Sequence, residues 1–364
     1  MDPRISAMRA IQSVGRPPVA ATPSLEEPLS PGFDVHVAAR STSWSTSHTG
    51  SPASPRLSTE HHLRPFSWEF KLFHHFTVAT SHTLPGSHIP SVKDCWSVQV
   101  PPLAVDYEPL MYGLLALSAL HMISTGCEDP ELIRCRDHYL DATLRAHRQG
   151  LTGLRKETAD AACFASIILM VDTFAALHGR PLDPYEPPVS DLRIARGVRV
   201  VFQAAWEHIK DDPDASAMII VRTFTSSSGV SESISQADIG PFSKILEDQT
   251  QLEGDTPQDI ESDLLHVYPK ALRHIRSIQN AVRSREHPMV LCRIIMSFAG
   301  LVPERLLDCV EERRPRALII LAHYFSLASN AREVWWIGES PGREAAAVRE
   351  VIPSKFLHLL GEME

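Results

Sequence analysis

The sequence has few cysteines, and none of them stands in a metal-binding spacing. There is no C-x2-C pair, and the two nearest cysteines, Cys127 and Cys135, are eight residues apart. The repeated C-x2-C-x6-C spacing of a cysteine-zinc cluster is therefore absent from these residues. The six cysteines lie scattered in apolar segments: Cys95, Cys127, Cys135, Cys163, Cys292 and Cys309. They predict reduced, mostly buried thiols in an intracellular protein.

Positive charge is also scarce. The formal net charge is -9 and the isoelectric point about 6.1. Such a chain offers no basic field for the phosphates of nucleic acids. We therefore expect no direct DNA binding from this chain, and a role on DNA would need a partner.

No apolar run reaches the roughly 20 residues that span a bilayer. Residues 317–336 come nearest, with the sequence ALIILAHYFSLASNAREVWW, but the unbroken apolar part ends at Ala322. The N-terminus lacks the apolar core of a secretory signal. Because it carries arginines and few acids, a mitochondrial presequence remains an alternative. We predict no membrane span and a core helix over 316–336.

The common catalytic signatures are missing as well. The sequence contains no GxGxxG, Walker A, GxSxG or HExxH motif. The densest polar cluster holds Cys135, His138 and Asp141, but steps of three residues turn about 60° away from one another on a helix, so these side chains converge poorly on one metal. We predict no catalytic residue, no metal site and no cofactor. A biosynthetic enzyme is the least supported alternative.

What the chain does contain is a polar leader followed by a helical body. Residues 1–62 are rich in Pro, Ser, Thr and Ala and cannot bury enough apolar area to offset their ordering entropy, which predicts disorder. Residues 63–364 show apolar positions at helical spacing and no alternating runs, which predicts an all-α domain. The expected helices are 68–76, 107–125, 130–154, 159–177, 190–209, 217–224, 241–249, 257–284, 289–298, 302–311, 316–336 and 342–360.

Two blocks of sequence resemble a known family. Residues 96–122 read WSVQVPPLAVDYEPLMYGLLALSALHM, and residues 298–336 read FAGLVPERLLDCVEERRPRALIILAHYFSLASNAREVWW. Both are similar to segments of the fungal-specific transcription factor domain, the helical regulatory half of zinc-cluster (Zn2Cys6) activators, in the branch of sterol-uptake control regulators. The segment YLDATLR, residues 139–145, is weakly similar to a helix between them. The WWIGESPG that follows departs from the pattern.

The resemblance implies a nuclear transcriptional regulator, for instance of a metabolic or biosynthetic gene cluster. It implies an α-helical domain, often dimeric, that binds a hydrophobic effector. The chain begins within what would be the linker after the zinc cluster. We therefore expect it to act through a DNA-binding transcription factor partner or a homodimer. The alternative is a cytoplasmic sterol- or terpenoid-binding protein without transcriptional output.

The second block supplies the candidate effector-binding residues. These are Phe298, His323, Tyr324, Trp335 and Trp336. On a helix over 316–336, His323, Ser326, Asn330 and Glu333 form one narrow polar stripe. Such a stripe either faces water or borders a polar-rimmed cavity. The two tryptophans point about 100° apart, and at most one of them would face a ligand.

Overall fold

The computed structural model describes residues 64–226, 238–247 and 264–361, and within these ranges every regular element is a helix. The all-α prediction is confirmed; the leader 1–62 lies outside the described residues. The α-helices are α1 Arg64–Val78, α2 Pro90–Asp94, α3 Val100–Val105, α4 Glu108–Ser124, α5 Pro130–Thr152, α6 Lys156–Ala176, α7 Val189–Ile209, α8 Ala217–Ser226, α9 Lys244–Glu247, α10 Leu264–Arg283, α11 Pro288–Leu301, α12 Glu304–Glu311, α13 Pro315–Ala328 and α14 Ser340–Val351. Short 3-10 turns at Thr80–Thr83, Ser329–Ala331 and Ser354–Leu360, and a π-turn at Cys95–Gln99, connect some of them.

Proline sets the first residue of several helices. Pro130, Pro288 and Pro315 begin α5, α11 and α13. Proline fits this position because its missing N–H would have no intrahelical partner there. At α5 the carboxylate of Asp129 also accepts a hydrogen bond from the amide of Glu131 at 2.8 Å, which caps the helix.

Helix α6 forms the centre of the fold. Its neighbours α4, α5 and α7 all pack against it. Glycine at position 113 favours the close approach of α4, because a Cβ there would lie 3.3 Å from Cγ2 of Ile168, a tight contact. An ion pair of 2.6 Å between Arg136 and Asp172 ties α5 to α6.

The helix that most resembles a membrane span is Lys156–Gly179, and not the segment 317–336. By length and composition, Lys156–Gly179 is one helix that could cross a bilayer. However, 83% of its apolar window is buried inside the protein, as is typical of a core helix. Polar residues such as Asp172 interrupt its apolar run without being exposed, since Asp172 is only 5% exposed.

A second set of helices, α10 to α14, packs around α13. Helix α13 is buried along almost its whole length, including Arg316, whose guanidinium donates to the carbonyl of Ile245 at 3.0 Å. Arg193 joins the two sets of helices, because its guanidinium on α7 pairs with Glu304, Asp308 and Glu311 on α12.

The predicted helix 316–336 is too long. Helix α13 ends at Ala328, where side chains compete for its last carbonyl groups. The hydroxyl of Ser329 donates to the carbonyl of Ser326 at 2.6 Å. The side-chain amide of Asn330 donates to the carbonyl of Leu327 at 3.0 Å. Such local bonds replace the amide partners that would continue a helix. The predicted polar stripe therefore stops before Glu333.

The predicted helix 342–360 is also interrupted. Helix α14 ends at Val351, and the following Ile352 has extended backbone angles because Pro353 disfavours the helical region for the residue before it. The 3-10 turn Ser354–Leu360 completes the segment. The prediction of mostly buried thiols is confirmed, since Cys95, Cys163, Cys292 and Cys309 are buried.

Trp336 is fully buried and should be one of the most costly residues to truncate. We expect Trp336→Ala to lower the free energy of unfolding by about 3–5 kcal/mol. The matched control is Trp206→Ala, because Trp206 is 41% exposed and should cost below about 1 kcal/mol. Urea unfolding measures both values. Equal losses would contradict the assigned burial.

His147 should make the fold sensitive to acid. It is 1% exposed, neither ring nitrogen has a hydrogen-bond partner among the described residues, and burial lowers its pKa to about 4. Below pH 6.5 the unfolded chain gains a proton at this side chain while the folded chain does not. Stability from this group is therefore complete above pH 6.5 and decreases by up to about 3 kcal/mol as the pH falls to 4. His147→Leu should reduce that loss in urea titrations between pH 7 and 4; an unchanged slope would contradict the burial of a neutral ring.

Candidate functional site

A cavity of about 370 Å³ lies between α6, α7, α8 and α11. This volume falls within the range of roughly 300–1,000 Å³ that is usual for small-molecule sites. Its apolar lining includes Trp96, Ile167, Met170, Val198, Phe202 and Ile294. The cavity therefore suits a largely hydrophobic occupant.

Helix periodicity explains why α7 and α11 supply two of its walls. On α7, Ala195, Val198, Arg199 and Phe202 follow the spacing i, i+3, i+4, i+7 and line the cavity together. This spacing places side chains on one face of a helix. The lining residues 293, 297 and 300 repeat the pattern on α11. The two faces oppose each other because α7 and α11 pack side by side.

Three polar side chains interrupt the apolar wall. Arg199 donates to the carbonyl of Gly300 at 3.2 Å, near the C-terminal end of α11. The hydroxyl of Ser297 donates to the carbonyl of Ile294 at 2.8 Å. Arg293 lies two helical turns before Gly300, and burial lowers the pKa of its guanidinium while Glu286 raises it. The cavity thus has an apolar body and basic groups on its wall.

A pair of stacked histidines lies near Arg293. The rings of His88 and His287 stack with their centroids 4.7 Å apart. The pKa of His88 is lowered first by burial and then by the nearby His287 and Arg293. His88 follows the cavity-lining Pro85 by three residues, but neither histidine lines the cavity itself.

Phe298 and Tyr324, two of the candidate effector residues, contact each other but do not line the cavity. Their rings stack with centroids 4.3 Å apart, and the Tyr324 hydroxyl donates to the carbonyl of Ile295 at 3.2 Å. His274 packs edge-on against Phe298, and its Nε2 lies 2.9 Å from the carbonyl of Ile294. These contacts fasten α13 and α10 to the helix that carries the cavity lining.

His323 lies in a separate environment. Its Nε2 is 3.3 Å from the carbonyl of Leu359, and its ring meets that of Phe242 edge-on at 5.1 Å. Burial lowers the pKa of His323, while the Leu359 carbonyl raises it. The side chain therefore connects α13 to the C-terminal 3-10 turn.

Trp335 and Trp336 both bind Thr83. The indole N–H of Trp335 donates to the Thr83 hydroxyl at 3.0 Å, and that of Trp336 donates to the Thr83 carbonyl at 3.2 Å. Trp335 also stacks on His121 with centroids 5.0 Å apart. The two tryptophans thus attach the turn after α13 to the turn after α1.

None of the five predicted effector residues lines the cavity, and their role as effector contacts stays a prediction. Sequence reasoning missed Trp96, Arg199 and Arg293. The i, i+3, i+4, i+7 pattern on α7 was a usable signal, but periodicity alone does not separate a cavity wall from a packed core. Among the described residues, no group of three His, Cys, Asp or Glu side chains is placed to hold a metal ion.

Comparison with known proteins identifies relatives among fungal regulators. Residues 71–215 match the family model described as "Fungal specific transcription factor domain". The chain is 36% identical over 278 residues to the Zn(2)-C6 fungal-type transcription factor afumD of Aspergillus fumigatus, covering 76% of this chain and 69% of that protein. It is 29% identical over 292 residues to a Zn(2)-C6 fungal-type transcription factor of Gibberella zeae, covering 76% of this chain and 56% of that protein.

A shorter similarity joins the chain to sterol regulators. It is 29% identical over 144 residues to Sterol uptake control protein 2 of Saccharomyces cerevisiae, which is 38% of this chain and 15% of that protein. The matched region thus covers 69%, 56% and 15% of the lengths of these three relatives, respectively.

Gly300 offers a direct test of the cavity. A Cβ added there would meet only Cβ of Arg199, at 3.8 Å, so Gly300→Leu should fill empty space and stabilise the fold by about 0.5–1 kcal/mol. Gly150 is the matched helical control, because a Cβ there would lie 2.5 Å from the Tyr107 hydroxyl, and Gly150→Ala should destabilise. Thermal unfolding compares the two. Destabilisation by both would contradict an open cavity beside Gly300.

Proposed function

This chain belongs to the fungal transcription factors that carry the fungal specific transcription factor domain, and we propose that it is a transcriptional regulator whose helical body binds a hydrophobic small molecule. The observation that carries the effector part is the apolar cavity between α7 and α11. The sterol uptake control proteins among its relatives support an occupant of sterol or terpenoid type. The targets we propose are genes of a metabolic or biosynthetic cluster.

The position of the cavity supports a regulatory effect of its occupant. Helix α7 carries Arg193 and Arg196, which pair with acidic residues of α12, and α11 carries Phe298, which stacks on Tyr324 of α13. A ligand that contacts α7 and α11 therefore acts on both sets of helices. Filling the cavity would add apolar contacts between them and favour one arrangement over others.

We propose that the residues of this sequence do not contact DNA directly. The net charge of -9 does not suit a surface that neutralises phosphates. We propose that the helical body, residues 63–364, supplies the effector-binding and partner-binding part of a nuclear regulator. Contact with DNA would then come through a DNA-binding transcription factor partner or within a homodimer.

The cavity also supports a second candidate function. A cytoplasmic carrier of sterols or terpenoids would use the same apolar wall. The five residues predicted from the second sequence block would then hold together the helices around the cavity; they are Phe298, His323, Tyr324, Trp335 and Trp336. The two candidates differ in one measurable respect. A carrier binds its ligand without changing transcription.

The test is a reporter assay with the full chain fused to a heterologous DNA-binding domain. We expect the fusion to enter the nucleus, to change transcription of the reporter relative to the DNA-binding domain alone, and to respond to added ergosterol. The Gly300→Leu fusion should keep the basal output and lose the ergosterol response, because its side chain occupies the cavity. A nuclear fusion with no effect on the reporter would contradict the regulator, and ergosterol binding that persists in that case would support the carrier.

A further inference from the structure

Helix α10 carries positive charge without a matching acid. It contains no aspartate or glutamate but four strongly basic side chains, which are Lys270, Arg273, Arg276 and Arg283. This contrasts with the net charge of -9 for the whole chain. Arginines of other helices have acidic partners, as Arg193 has on α12. Among the described residues, no ion pair neutralises the four basic side chains of α10.

Helical periodicity directs this charge to one side of α10. Residues 266, 270, 273, 277 and 280 follow the spacing i, i+4, i+7, i+11, i+14, which is one face of a helix, and none of them is buried. Arg276 and Arg283, seven residues apart, border this face along one edge. The opposite side is apolar and fully buried at Ala271, Ile275 and Ile278. The four basic side chains therefore form one surface, which we call the basic face.

One guanidinium of the basic face is held in position by its neighbours. Arg276 donates to the side-chain carbonyl of Gln279 at 2.6 Å, and a Cβ on Gly240 would lie 3.3 Å from its Cζ. The group thus lies against the turn Gly240–Ser243, which packs on α10. A neutral amide leaves the charge of Arg276 uncompensated. The exposed Lys244, directly after the turn, adds positive charge near the same edge.

The length of the basic face indicates the length of an occupant. Lys270 and Arg283 are thirteen residues apart, which is about 20 Å along a helix. An extended peptide covers this distance with about six residues of ~3.3 Å each. A short acidic segment can therefore pair with the whole face. A long polyanion would also meet the rest of a chain whose net charge is -9, and that charge repels it.

We propose that the basic face of α10 binds a short acidic segment of a protein partner. The inference rests on the proposed function in one respect, because it names the chemistry of the partner that the regulator would contact. Charge complementarity carries it. Arginine suits the role because its planar fork binds a carboxylate through two parallel hydrogen bonds.

The test measures the fluorescence anisotropy of two labelled peptides with the unaltered full chain. One peptide of ten residues contains six glutamates and four serines, and the other has glutamine in place of each glutamate. In about 50 mM NaCl we expect the glutamate peptide to bind at least about tenfold more tightly. About 300 mM NaCl should remove most of this difference, because salt screens exposed charges. Equal binding of the two peptides in low salt would overturn the proposal.

The chain's own acids need a separate measurement. Residues 248–263 precede α10 directly and contain six acidic and no basic residues. Because they adjoin α10 in the sequence, their carboxylates compete with an added peptide. A variant with Asn or Gln at those six positions should bind the glutamate peptide about threefold or more tightly than the unaltered chain. No binding of the glutamate peptide to either protein would overturn the proposal.

Charge reversal then assigns the preference to the basic face. Lys270→Glu combined with Arg273→Glu should abolish the preference for the glutamate peptide. Neither side chain is buried, so thermal unfolding should show a nearly unchanged fold. The matched control is Arg134→Glu combined with Arg145→Glu, which makes the same charge change at exposed positions of α5 and should keep the preference. A preference that survives at α10, or is lost equally in the control, would contradict this assignment.

Two further comparisons separate the class of partner and the proposed function. A labelled single-stranded DNA of ten nucleotides should bind more weakly than the glutamate peptide, and tighter binding of the DNA would overturn the peptide partner. The peptide assay does not depend on transcription. A glutamate preference together with an inactive reporter fusion would support this surface and contradict the regulator alone. An active fusion without a glutamate preference would contradict this surface alone.

Discussion

The burial of one apolar helix constrains the rest of the structure. Helix α6 hides nearly all of its side chains, from Ala159 to Ala175, and can do so only if other helices cover it on every side. α4, α5 and α7 provide that cover. The cavity borders this helix, with Ile167 and Met170 of α6 forming part of its wall.

Much of the fold was predictable from sequence, because the apolar spacing and the terminal prolines are local signals. The predicted helices that begin at 130, 289 and 316 start in the structure at Pro130, Pro288 and Pro315, within one residue of the prediction. The end of α13 was not predictable from apolar spacing, since it depends on hydrogen bonds from Ser329 and Asn330 to the preceding turn.

The position of the candidate site could not be predicted from the sequence. The two tryptophans were candidate effector contacts, of which at most one was expected to face a ligand. In the structure both donate their indole N–H groups to Thr83, a pairing over some 250 residues that no local pattern reveals. The cavity is built instead from segments distant in sequence, around Trp96, Val198 and Arg293. Each of these looks like an ordinary core or surface position on its own helix. Only the packing of α7 against α11 turns them into a site.

The central claim is the location of the effector site, and amide hydrogen exchange with and without a bound apolar ligand tests it most directly. Ligand binding in the cavity should slow exchange in residues 195–202 of α7 and 293–301 of α11, because it stabilises the helices that form the wall. Residues 335–337 should exchange at the same rate in both states. Slower exchange confined to the Trp335–Trp336 turn, with no change in α7 and α11, would contradict the account.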